Sequence, residues 1–290
     1  MYRNLKKGPK RGVSIFSYSG EYQYTMDLED CFKDMQDMGA TGIEILANSH
    51  IDSYPKLSVE YLKKWNTLCE KYQVEPVEYG HWIDTRLYQN RDITLEEARE
   101  KLINDFQIAN QLGFHILRTK MGVINDELAP MENWREIIKS VLPEAEKYDV
   151  VMCPEIHLPT VLSDQFVLDY VDFIEETGTK HFGLNIDLSV FQNNFSLPGS
   201  FYAPDTRHSQ PEEIVELLPY VKCIHAKFNK MDDHFNEITI PYQEVLTILK
   251  DHQWDGYLLS EYEGENKEIP GYVSHELRKQ HVMMKRILEI

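Results

Sequence analysis

The sequence predicts an α/β fold of a single domain, a closed (β/α)8 TIM barrel, and three observations carry that prediction. Short β-branched runs alternate with longer segments of helical period, about eight times over. No stretch between them is long enough to be a domain linker, and 290 residues is the length that eight such units need. Alternation alone does not show closure, so a doubly wound open sheet is the rival arrangement. No Gly-rich phosphate loop follows an early strand, and GYLLSEYEG lacks the spacing of a dinucleotide fingerprint.

The elements follow in order. Residues 1–11 are basic and lead into no apolar stretch of signal-peptide length; they are read as a solvated arm, with the barrel spanning 12–290. GVSIFS, from Gly12, is the first strand. In TMDLEDCFKDMQDMGA, Leu28, Cys31, Phe32 and Met35 recur at i, i+3, i+4 and i+7, with Asp27 and Glu29 at the start and Gly39 as the stop, which makes an amphipathic helix. The second strand is TGIEIL, and a helix runs through VEYLKKWNTLCEKY. VEPVEYGHW precedes the helix LEEAREKLINDFQIANQLG, and FHILRTKMG precedes MENWREIIKSVLPEAEKY. The fifth strand, VVMCPEIH, leads to DQFVLDYVDFIEETG, and the sixth, HFGLNID, to a helix through PEEIVELLPY. CIHAKFN and PYQEVLTILKDH form the seventh unit, GYLLSEYEG is the eighth strand, and ELRKQHVMMKRIL closes the chain with Leu277, His281, Met284 and Leu288 on one face. Two loops stand out. LSVFQNNFSLPGSFYAPDTRHSQ follows the sixth strand and KMDDHFNEIT the seventh, both on the face where barrel active sites lie. Phe191, Phe195, Phe201 and Tyr202 favour an ordered lid or partner surface for the first.

Composition narrows the function. A formal net charge of −18 repels phosphate backbones, so nucleic acid is excluded as the expected partner, while a neutral or metal-bridged substrate is acceptable. No run is apolar and long enough to be a membrane span. Cys31, Cys69, Cys153 and Cys223 lie in apolar segments without C-x-x-C spacing, as packed thiols in a reducing cytoplasm do.

The last four strands each deliver an acidic residue or a histidine near the carboxyl end: Glu155 in CPEIH, Asp187 in LNIDLS, His225 in CIHAKF and Glu261 in LSEYEG. Any one of them alone is better explained as a helix cap or a hydrogen-bonded core residue. On four consecutive strands they converge on one side of a barrel mouth, where three carboxylates would repel one another unless a cation sat between them. Three oxygen ligands and one imidazole suit a single Mn²⁺, with Mg²⁺ and Co²⁺ as alternatives, better than a sulfur-preferring metal. His157 stands two positions beyond Glu155 and is the candidate proton acceptor, with Glu155 and Glu261 as further catalytic candidates. Lys227 alternates with His225 on one strand face and is expected to contact substrate, because a buried unpaired ammonium is costly. His81 in VEYGHW and Arg118 and Lys120 in ILRTK complete the expected substrate contacts.

On PEIH, GLNID, the IHAK strand and the tail IPYQEVLTILKDHQWDGYLLSEYEG, nearly the whole chain resembles the xylose-isomerase-like barrels, which include sugar isomerases, ketose 3-epimerases and the endonuclease IV type of DNA repair enzyme. The resemblance implies that Glu155, Asp187, His225 and Glu261 are the ligands of one metal. One departure matters. Many members carry histidine three positions after the aspartate, where this chain has Val190; the second carboxylate–histidine pair of the epimerases and the extra zinc site of the repair enzymes are therefore not expected. SEYEG followed by LRKQHVMMKRIL is similar, more narrowly, to the catalytic α-type subunits of bacterial C-glycoside deglycosidases. That likeness implies a 3-oxo-glycoside substrate, a small β-type subunit as partner and an oligomer.

Both sugar readings share one step, removal of a proton beside a carbonyl. If the proton returns, the enzyme is an isomerase or epimerase; if the group on the next carbon leaves, it is a carbon–carbon lyase. With Val190 in place of histidine, elimination is the expected outcome and the isomerase or epimerase the alternative. A barrel that binds sugar or a partner without turnover is a third reading, which an intact ligand set argues against.

Overall fold

The computed structural model describes residues 8–83, 89–121, 128–196 and 202–290, the side chains of 120 and 121 excepted. Nine parallel strand segments form one sheet: β1 (Lys10–Ser14), β2 (Gly42–Leu46), β3 (Glu75–Ile83), β4 (Ile116–Met121), β5 (Val151–Cys153), β6 (Glu155–Ile156), β7 (Leu184–Asp187), β8 (Val221–Phe228) and β9 (Tyr257–Tyr262). Their order is β5-β4-β3-β2-β1-β9-β8-β7-β6. The two edges of this sheet, β5 and β6, are halves of one barrel strand separated by Pro154 alone. β5 pairs with β4 and β6 with β7, so the sheet curls into a nearly closed barrel, not an open doubly wound sheet. Pro154 has no N–H for the ladder and splits the strand, while its carbonyl still accepts from the Asn185 amide at 3.2 Å.

The helices start and stop where their end signals stand. Asp27 accepts from the Asp30 amide in a capping box, and Gly39, at φ 69°, ends Leu28–Met38 in the left-handed conformation that glycine adopts without strain. Thr94 and Glu97 form a second capping box at the start of Leu95–Leu112. Two expectations need correction. The arm ends earlier than residue 11: β1 begins at Lys10, and the buried Arg11 guanidinium donates to His281 Nδ1 at 2.7 Å and to the Gly39 carbonyl at 2.8 Å. PEEIVELLPY forms a 3₁₀ helix, Pro211–Leu217, in place of the α-helix that the sequence suggests. Among the described residues, no helix is long and apolar enough to cross a membrane.

Inside the barrel, Val77, Cys223, Tyr257 and Leu259 form an apolar plug toward the amino ends of the strands. Beyond it, toward the carboxyl ends, the inward positions turn polar: Glu78 follows Val77, His225 follows Cys223 and Glu261 follows Leu259. At the foot of the barrel the backbones come close. A Cβ on Gly12 would lie 2.5 Å from the Gly42 carbonyl oxygen and 2.6 Å from Leu259 Cδ2. Gly12→Ala should therefore overpack this layer and cost about 1–3 kcal/mol, read as a lower urea midpoint with unchanged slope. A midpoint equal to the wild type's would show that the layer gives way freely.

Candidate active site

The strand register brings the four predicted ligands together. Asp187 pairs with His225 across β7 and β8, and Glu261 pairs with Lys227 across β8 and β9. One donor atom from each of Glu155, Asp187, His225 and Glu261 lies within 4.8 Å of the others, and all four residues are buried. His225 Nδ1 is 3.1 Å from Glu155 Oε1, 3.4 Å from Glu261 Oε2 and 3.9 Å from Asp187 Oδ2. Asp187 Oδ1 accepts from the Ser189 amide at 2.6 Å, whereas Oδ2, fully buried, accepts no hydrogen bond. A buried carboxylate oxygen left in that condition is costly, and a hard divalent cation is what a set of three carboxylates and one imidazole would satisfy. The residues fit such an ion.

Behind this cluster lies a second acidic layer that the sequence reading missed. Glu44 and Glu78 are fully buried on β2 and β3 and stand side by side in register. His225 Nε2 is 2.8 Å from Glu78 and 3.5 Å from Glu44, so the imidazole has carboxylates on both of its nitrogens. Asn185 donates to both oxygens of Glu78 at 3.1 and 3.2 Å. Arg118 joins the layers: its Nε is 2.8 Å from Glu44 and its Nη1 2.7 Å from Glu155.

Among the described residues, five buried carboxyl groups thus face two permanently cationic side chains, Arg118 and Lys227. The imbalance shows in the titration. Burial, and then neighbouring carboxylates, push Asp187 up to about 7. Burial and Glu44 do the same to Glu78, also to about 7, against the pull of His225. Burial opposes charge on Glu261 too, but His225 and Lys227 outweigh it and hold this carboxyl at about 2. Glu155 is likewise held well below the usual carboxylate range, because Arg118 and His157 outweigh its burial. His225 is pushed well above its ordinary value: burial resists, and Glu44, Glu261 and Glu78 prevail. A bound dication would offset such an excess of negative charge.

A cavity of about 580 Å³ opens over Glu155 and Glu261, walled by Phe16, Tyr54, His81, Trp82, His157, Tyr202 and Lys227. His157 Nδ1 donates to the Leu158 carbonyl at 2.7 Å, which makes Nε2 the proton-accepting nitrogen of the neutral ring. Its ring stacks with Trp82, centroids 6.5 Å apart at 22°. Lys227 reaches the cavity and pairs with Glu263 at 2.5 Å. Arg118 lines the cavity as well, with its guanidinium engaged by Glu44 and Glu155. The Lys120 side chain lies outside the described residues.

His81, expected only as a substrate contact, has an acidic partner that no local motif announces. Its Nδ1 lies 2.5 Å from Oδ2 of the fully buried Asp105, on the helix Leu95–Leu112. Of the aromatic loop, Phe191 and Phe195 are buried in the fold, and among its described aromatic residues Tyr202 alone lines the cavity, donating to the Leu158 carbonyl at 2.9 Å. Phe201 lies outside the described residues. The loop after β8 folds around Glu237, which accepts from the Thr239 amide at 2.6 Å, and among the described residues it supplies no cavity wall. Val190, fully buried, packs in the core where the sequence expected no third-position histidine.

Residues 32–285 match the family model described as xylose isomerase-like TIM barrel. The C-glycoside deglycosidase alpha subunit of Arthrobacter globiformis is 24% identical over 97% of this chain and 93% of that protein. The 3'-dehydrocarminate deglycosidase alpha subunit of a Microbacterium species is 23% identical over 96% of this chain and 95% of that one. The solved D-psicose 3-epimerase of Clostridium cellulolyticum superposes with a TM-score of 0.68 at 15% identity, over 97% of this chain and 100% of that one.

Proposed function

The chain belongs to the xylose isomerase-like TIM barrel family, and on that footing we propose that it is a metal-dependent enzyme that removes a proton beside a sugar carbonyl and cleaves the C-glycosidic bond of a 3-oxo-glycoside by elimination. The observation that carries this reading is the buried four-ligand cluster beneath a cavity whose wall holds His157. Glu155, Asp187, His225 and Glu261 would hold the ion, Mn²⁺ before Mg²⁺ or Co²⁺. When bound, a divalent cation supplies Lewis-acid polarisation of the sugar carbonyl, which acidifies the neighbouring C–H.

The chain's own residues do the rest. Arg118 and His225 keep Glu155 and Glu261 ionised and therefore weak as bases, which leaves His157 Nε2 to take the proton at C2. Lys227, held by Glu263, is positioned to neutralise oxygen charge near Asp187 and Glu261. Phe16, Tyr54, Trp82 and Tyr202 give the cavity an aromatic wall suited to a flat aglycone. Names of relatives as alpha subunits support a small β-type partner, and four free thiols support a reducing, cytoplasmic setting. A free-ketose epimerase is the second reading, favoured by the structural likeness to D-psicose 3-epimerase.

One experiment separates them. The Mn²⁺-supplied protein, with and without the co-encoded small subunit, should release aglycone from a 3-oxo-C-glycoside and interconvert free ketoses only slightly. Rapid epimerisation of a free ketose, with no aglycone release under either partner condition, would replace the lyase by the epimerase.

A further inference from the structure

We infer that His81, backed by Asp105, is the proton donor to the departing aglycone, an inference that rests on the elimination reading above. Asp105 sits fully buried in the helix Leu95–Leu112, among side chains that are otherwise apolar on that face. Its carboxylate gathers three donors: Oδ2 takes the His81 Nδ1 hydrogen at 2.5 Å, and Oδ1 accepts from the Tyr54 and Tyr79 hydroxyls at 3.3 Å each. A buried carboxylate placed behind an imidazole at Nδ1 fixes its tautomer and orientation and turns Nε2 away from the carboxylate. The Tyr54 hydroxyl lies 3.2 Å from His81 Nδ1 and 3.3 Å from Nε2, and both side chains line the cavity in which an aglycone would lie. This group is separate from the candidate metal cluster: it comes from β3, the helix Leu95–Leu112 and the connection after β2 that carries Tyr54, whereas the proposed ligands come from β6, β7, β8 and β9.

The elimination needs such a donor. When the C2 proton passes to His157, the electron pair of that C–H bond becomes the C1=C2 bond, and the bond from C1 to the aglycone carbon breaks. The pair released to that carbon must form a new C–H bond, since an aryl carbanion is far too basic to leave unprotonated. His81 supplies that proton from Nε2 and recovers one from water. Asp105 acts through His81 as a positioning residue.

Leaving-group dependence tests the assignment. A 3-oxo-glucoside of 4-nitrophenol departs as a stabilised phenolate and gains little from an acid, while a 3-oxo-C-aryl glucoside cannot depart without one. His81→Gln, in the Mn²⁺-supplied full chain with its small subunit, should shift the ratio of the two turnover rates by about 10²- to 10⁴-fold against the C-glucoside. Asp105→Asn should shift it the same way to a smaller extent, and gives the readout if His81→Gln does not fold. Equal losses on both substrates would make His81 a binding or packing group and overturn the assignment, as would no loss on either. A wild-type protein inert toward both would sink the elimination reading and this inference with it; an active wild type with an unshifted ratio sinks this inference alone.

Discussion

Asp187→Ala should abolish retention of a divalent cation and, with it, turnover, while the barrel stays folded. The wild-type protein, passed through gel filtration after Mn²⁺ loading, should keep close to one equivalent by elemental analysis, and the variant none. Thermal unfolding reports the same difference independently of activity. A ligand present at a hundred times its Kd stabilises the folded state by about 2.7 kcal/mol, so Mn²⁺ should raise the wild-type Tm and leave the variant's where it was. Loss of Asp187 is not expected to unfold the protein. Its carboxyl is pushed up to about 7 by burial and by its neighbours Glu261 and Glu155, so in the absence of an ion its removal relieves repulsion at the cost of one hydrogen bond from the Ser189 amide. The same shift sets a pH dependence. A cation binds the deprotonated carboxylate, and a pKa raised to about 7 means that protons compete for Asp187 once the pH drops below that value; protons on His225, whose pKa is also raised, compete in the same direction. Mn²⁺ affinity should fall from pH 8 to pH 6. A variant that keeps one tightly held equivalent, or affinity that rises with acid, would show that the ion does not sit here.

The clustering of Glu155, Asp187, His225 and Glu261 was legible because each stands in a short motif at the end of an apolar run, and because consecutive barrel strands place such ends side by side. Glu44 and Glu78 carried a weaker form of the same signal. TGIEIL and VEPVEYG each hold a carboxylate on the inward face of a strand, but well short of its tip, where it reads as an ordinary alternating polar residue. Their partners, Arg118 on β4 and His225 on β8, appear only when the ring closes. Asp105 was invisible for a related reason: on its helix it looks like one more polar position, and the imidazole that explains it lies 24 residues earlier on β3. The arm boundary failed at Arg11, whose charge suggested solvent. Its guanidinium is spent on His281 and the end of the helix Leu28–Met38, which ties the closing helix Tyr272–Leu288 to β1.

His157→Ala should lower turnover by about 10²- to 10⁴-fold and leave Mn²⁺ affinity nearly unchanged, because the side chain removed is the proposed proton acceptor and stands outside the proposed ligand set. The alternatives for the base are Glu155 and Glu261. Both are held ionised far below neutrality, by Arg118 and His225 on the first and by His225 and Lys227 on the second, in each case against burial, so each would accept a carbon-bound proton with little driving force. His157 differs in being tethered through Nδ1 to the Leu158 carbonyl and stacked on Trp82, which directs the ring while leaving proton exchange to Nε2. A measurement of the first step alone makes the assignment sharp. In D₂O the wild-type protein should exchange the C2 hydrogen of a 3-oxo-sugar that has no leaving group, and His157→Ala should lose that exchange in proportion to its loss of turnover. His81→Gln should keep it, because protonation of the aglycone comes after the C–H bond is broken. If His157→Ala exchanges C2 hydrogen at near the wild-type rate, the base is elsewhere, and Glu155 becomes the residue to replace next.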